Sequence, residues 1–149
     1  MKFRKSILFL CLFIFLFSFY LLITGSNLLM IVLNDELGLP LGTISTWLAF
    51  IALSLSIYFS HDKLRKPINF FDKLLAFQLK LSIWVSISWP LISFSLAGNL
   101  NFSFSPKDTF QGGQLAMKIF WIINYSLVII PILVLLSHHI LKKVKLKIN

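Results

Sequence analysis

A chain of 149 residues in which 58% are apolar, 13% are charged and 16 are phenylalanine has too little polar surface to clothe a water-soluble globule of this size. Lipid is therefore the expected solvent, and about four spans of about 20 residues with their loops exhaust the length, leaving no room for a separate soluble catalytic domain. The net charge of +9 takes its meaning from where the cations lie along the chain.

After MKFRK comes SILFLCLFIFLFSFYLLIT, residues 6–24, without one charged side chain. This run exceeds the 7–15 residues of a signal-peptide core and no A-x-A site follows, so it reads as an uncleaved first helix. Cys11, the one cysteine, lies within it as a small buried hydrophobe; an intramolecular disulfide or a thiolate metal site is ruled out. Gly25, Ser26 and Asn27 weaken the helix. Residues 28–33, LLMIVL, either extend a tilted span or lie along the interface before Asn34, Asp35 and Glu36 meet water.

The second span is expected at about 43–59, beyond the breakers of LGLPLG. In the basic stretch SHDKLRKPINFFDKLLAFQLK, residues 60–80, Pro67 is predicted to open a short helix with Phe70, Phe71, Leu74, Leu75 and Gln78 on one face. That helix would lie in the headgroup region with Lys73 and Lys80 toward anionic lipid; the alternative is a linker with no helix of its own. Spans at 81–98 and 119–137 complete the set, and Pro90 and Pro131 predict a kink in each. None of the four cores carries Asp, Glu, Lys or Arg.

The expected fold class is thus all-α: a single polytopic membrane domain of four transmembrane helices. Lysine and arginine set its orientation. The N-terminus, the middle stretch and the tail hold every basic residue except Lys107 and Lys118. With four spans these three segments share one side, which the positive-inside rule makes the cytoplasm, so both termini are expected to be cytoplasmic.

Small residues mark helix interfaces in lipid. Ser45, Ala49, Ala52, Ser56 and Ser60 form a stripe on the second span; Ser82, Ser86, Ser93 and Ala97 form one on the third, interrupted by Trp89 and Pro90. The two stripes predict a close hairpin across the basic loop. Asn124, the most polar side chain in any core, is expected to hydrogen-bond a neighbouring helix, and Trp47 and Trp121 to anchor at the outer interface.

No ionisable group at membrane depth argues for ion-coupled transport, and no phosphate-binding, dinucleotide, zinc-protease or hydrolase motif occurs. The expectation is a protein that is not an enzyme, with no catalytic residue, cofactor or metal, and no nucleic-acid partner, since the basic stretches abut membrane ends. His61, His138 and His139 are expected to gather at the cytoplasmic surface, His61 beside Asp62; adjacent His138 and His139 point about 100° apart on a helix, which disfavours a metal site. In the outer loop NLNFSFSPKDTFQGGQ, Leu100, Phe102 and Phe104 alternate with polar residues as a short extended piece. Ser105, Pro106 and Asp108 resemble a helix start that Gly112 and Gly113 end. Phe102, Phe104 and Phe110 offer a partner surface or rest on the bilayer.

In layout the chain resembles the colicin A type of immunity protein against pore-forming bacteriocins. The shared features are four spans, both termini inside, a basic cytoplasmic loop (HDKLRKP), an outer loop before the last span (NLNFSFSPKDTFQGGQ) and a lysine-rich end (LKKVKLKIN). The resemblance covers about residues 43–149 and implies spans that intercept toxin helices within the bacterial cytoplasmic (inner) membrane. The chain is also similar to the exclusion proteins of conjugative plasmids, which are small, basic and hydrophobic and act on an incoming mating apparatus. An accessory subunit of a larger membrane complex or transport machine is the alternative. The expected partners are the lipid bilayer and a membrane protein or toxin helix.

Overall fold

A computed structural model describes residues 2–34, 39–105 and 109–148, with side chains left out for Lys2, Phe3, Asn34, Lys142 and residues 144–148. Asp35, Glu36, Pro106, Lys107 and Asp108, on which the expected loop polarity and helix start rest, lie outside the described residues.

The architecture is helical, and four helices are long and apolar enough to cross a membrane. Helix α1 (Lys2–Thr24) is the uncharged first run, and α2 (Leu41–Ser60) begins directly after Pro40, whose extended backbone and missing N–H prevent an earlier start. A single turn, α3 (Asp62–Arg65), leads to α4 (Phe70–Ala97), and α5 (Gly113–Ile148) closes the chain. Helix α4 stops at Gly98, which takes the left-handed conformation (φ 75°) and returns its N–H to the Phe94 carbonyl.

Residues 27–34 do not prolong the first span. Asn27–Met30 form a 3₁₀ turn capped by the Ser26 hydroxyl, and β1 (Val32–Asn34) pairs antiparallel with β2 (Leu39–Pro40). This two-strand ladder satisfies backbone groups that a broken helix would leave bare.

Successive helices run antiparallel. Arg4, at the start of α1, reaches the end of α2, and His61 meets His138 late in α5, so these segments share one end of the bundle, called here the basic end. The turn at Gly25, the start of α2 at Gly42 and the loop after Gly98 share the other, the loop end. Helix α2 is the centre: it packs along α1 most extensively, then along α4, whereas α1 and α5 have little direct contact. Two apolar clusters run through the interior. Leu53, Ile57, Leu64, Leu75, Leu79 and Val134 fill the basic half; Phe50, Trp89, Phe120 and Leu127 fill the loop half.

The middle stretch differs from expectation in where its helix begins and ends. Pro67 does not open a helix; Asn69 takes the cap position, and the helix that starts at Phe70 runs without a break into the third span, through Pro90. Burial of Leu75, Ala76 and Leu79 carries the helix across the expected boundary at Leu81.

Candidate functional site

The small-residue stripe of α2 is buried from Ser45 to Ser56, but not against α4, and Ser60 at its end is exposed. Ser54 and Trp47 make the α2–α4 contacts: the Ser54 and Ser82 hydroxyls lie 3.2 Å apart, and the Trp47 indole N–H donates to the Ser86 carbonyl at 2.9 Å. At 100° per residue, Ser45, Ala49, Ala52 and Ser56 lie on the opposite face, toward α1. Helix α1 answers with small buried residues of its own, Cys11 and Ser18, in the seam Arg4, Ile7, Cys11, Ile14, Ser18, Leu21. On α4, Ser82, Ser86 and Ser93 are buried on the face that meets α2. Trp89, which interrupts that stripe in sequence, is itself inward and 5% exposed.

Asn124 is buried in α5 beside it. Its side-chain oxygen accepts the Trp89 indole N–H at 3.0 Å, and its amide donates to the Phe120 carbonyl at 2.7 Å. Trp47, read from sequence as an interfacial anchor, is instead a helix-to-helix donor, because its indole N–H finds a carbonyl one helix away. Trp121 remains half-exposed, stacked on Tyr125 with ring centroids 5.8 Å apart.

The loop aromatics fold inward. Residues 100–105 form turns, not an extended piece, because the Asn99 side-chain oxygen accepts from the N–H groups of Asn101 and Phe102, and Asn101 O accepts from Phe104 and Ser105. The turns direct Phe102 onto Phe110 and Phe120, with centroids 5.1 and 5.0 Å away, and Phe104 onto the bare backbone of Gly42. Thr43 donates to the Leu100 carbonyl at 2.6 Å, and Gln111 N to Ala97 O at 2.9 Å. Gly113 does not end a helix; it begins α5.

Above this floor the bundle leaves a groove of about 390 Å³ in its loop half. Phe50, Trp89, Ser93 and Asn124 form the bottom, Phe102 and Phe104 close the loop side, and Leu22 of α1 faces Trp121, Tyr125 and Val128 of α5 across the mouth. The groove exists because α1 packs on α2 and α5 chiefly on α4, and the two do not pack on each other. Its lining is apolar with a few hydroxyls, suited to an aliphatic or aromatic surface and not to an ion.

The basic end holds the titratable groups. Arg4 donates to the Phe59 carbonyl at 2.7 Å and to Asp62 at 2.6 Å, and Arg65 also bonds Asp62. The Arg65 hydrogen bond holds the Asp62 carboxyl below the usual carboxylate range; desolvation opposes it, and the charges of Arg4 and Arg65 add to the lowering. The three histidines do gather: the His61 ring stands edge-on to His138 and His139, with centroids 4.8 and 5.3 Å away. Among the described residues no group of His, Cys, Asp or Glu is arranged to hold a metal ion.

The expected hydrogen bond from Asn124 to a neighbouring helix is present, but sequence reasoning did not name Trp89 as its partner and missed the inward loop aromatics, for which Asn99, placed to turn the chain, was the signal. No protein-family model, no curated protein and no solved structure matches this chain.

Proposed function

We propose that this chain is a non-enzymatic protein of the bacterial cytoplasmic membrane that protects its host by binding an incoming agent within the bilayer. The agent is the membrane-inserted helix of a pore-forming bacteriocin or a component of a conjugative mating apparatus. The observation that carries the reading is the groove between α1 and α5. It sits at the depth of the spans, has a buried aromatic floor, and is rimmed by the exposed rings of Trp121 and Tyr125. Aromatic rims on apolar clefts are the usual anchors of helix-in-groove recognition. The basic end, with Arg4, Lys5, Lys63, Lys66 and Lys73 together, faces the cytoplasm by the positive-inside rule, which turns the loop end toward the arriving agent.

Expression in otherwise sensitive cells tests the proposal: survival against one member of a panel of pore-forming toxins, or reduced receipt of one conjugative plasmid, is expected. Unchanged killing and unchanged plasmid receipt across the panel contradict it. Stoichiometric co-purification with other membrane proteins would favour an accessory subunit.

A further inference from the structure

We propose that the basic end carries a binding surface for anionic phospholipid, built on the outward face of the first four turns of α4; it is independent of the protective reading. Helix α4 has 28 residues, about 42 Å at 1.5 Å each, against a hydrocarbon core of about 30 Å. Its first turns therefore reach headgroup depth, and they are not free to drift there. Leu75, Ala76 and Leu79 are buried, and Leu75 and Leu79 pack with Leu64 of α3, Leu53 and Ile57 of α2 and Val134 of α5.

That packing decides what looks outward. Phe70, Leu74, Phe77, Leu81 and Trp84 recur at intervals of four, three, four and three residues, and all five are exposed, Phe77 at 64% and Trp84 at 69%. Lys73 and Lys80 stand two turns apart along one flank of this stripe, roughly 60–80° around the helix from it. Both are exposed, as are Lys63 and Lys66 just before the helix.

The nearby acids do not neutralise them. Asp62 is taken by Arg4 and Arg65, and Asp72 is buried, with the Asn69 amide 3.3 Å from its carboxylate. Among the described residues no carboxylate pairs with Lys63, Lys66, Lys73 or Lys80. An aromatic and aliphatic stripe edged by unneutralised ammonium groups is complementary to a lipid whose acyl chains follow Phe77, Leu81 and Trp84 and whose phosphate meets Lys73 or Lys80. The stem of each lysine lies along the stripe while its ammonium reaches the phosphate, a geometry that a zwitterionic headgroup satisfies less well because its own cation opposes the approach.

The test is native mass spectrometry of the full chain, released from micelles containing equal phosphatidylglycerol and phosphatidylcholine. A several-fold excess of phosphatidylglycerol adducts is expected. Lys73→Gln with Lys80→Gln should bring the ratio to parity, whereas Lys63→Gln with Lys66→Gln should leave most of it. All four lysines are exposed, so circular dichroism should show unchanged helicity in both variants. Millimolar inorganic phosphate should not displace the adducts, because it has no acyl chain to lay on the stripe. Equal retention of both lipids by the wild type would overturn the proposal. So would equal loss in the two variants, which means diffuse charge, or full displacement by phosphate, which means a headgroup-only site.

Discussion

Replacing Asn124 with Leu leaves the Trp89 indole N–H, 5% exposed and in the middle of the loop-half cluster, without its acceptor. Hydrogen bonds between helices in bilayers average about 0.6 kcal/mol and reach about 1.7 kcal/mol by double-mutant cycle. Both partners here are less than a tenth exposed and the N···O distance is 3.0 Å, so a coupling of about 1–1.5 kcal/mol is expected. Trp89→Phe breaks the same bond and also loses ring area against Phe50 and Phe120, adding about 1–3 kcal/mol. The cycle of Asn124→Leu, Trp89→Phe and the double variant separates the two effects, because the packing loss cancels and the hydrogen bond does not. Reversible unfolding of the chain by steric trapping in bicelles measures all four forms. Additive single-variant losses, within about 0.3 kcal/mol, would refute the argument that this bond joins α4 to α5.

Gly112 admits no Cβ, because one built there falls on the Leu96 carbonyl; Gly112→Ala should shift the loop and cost about 1–3 kcal/mol in the same unfolding assay, more than Gly42→Ala, where only the Phe104 ring must swing aside. The Asp62 carboxyl is depressed in the folded chain, so what its ion pairs contribute is present above the ordinary carboxylate value and is lost as pH falls through the depressed one. The tie between α1 and α3 should therefore survive at pH 5 and weaken in stronger acid, and carboxyl NMR of Arg65→Gln should show Asp62 titrating closer to the ordinary range; an unmoved titration would mean that the Arg65 bond is not formed. A periplasm-active reporter fused after Asn149 should be silent and one inserted between Ser103 and Phe104 active; strong activity at the tail would contradict the four-span reading.

The spans were legible because uncharged, largely apolar runs of 17 or more residues have few alternatives in lipid; Gly25, Ser26 and Asn27 marked the break after the first, and the gathering of three histidines followed from the four-helix count. What escaped was anything that depends on which face meets which neighbour. The small stripe of α2 is as visible in sequence as its opposite face, but only the assembled bundle shows α1 on the first and Ser82 and Ser86 on the second. Phe102 and Phe104 alternate with polar residues as a strand would, yet the Asn99 side chain competes for the backbone and wins, turning them inward. Helix α4 outran its apolar stretch because burial of Leu75 and Leu79 outweighs the polar residues between them. The groove was not legible at all, since it is the space left where α1 and α5 fail to meet.

That groove is the centre of the functional proposal, and blocking it is the most direct test. Val128 lies on its rim and is 36% exposed, so Val128→Trp should fill the mouth without disturbing the buried floor. Cells expressing the wild-type chain are compared with cells carrying equal membrane amounts of Val128→Trp in the challenge that the wild type survives. The account predicts that survival, or plasmid refusal, falls by an order of magnitude or more toward the level of cells lacking the protein. Full protection by the filled variant would contradict binding in the groove.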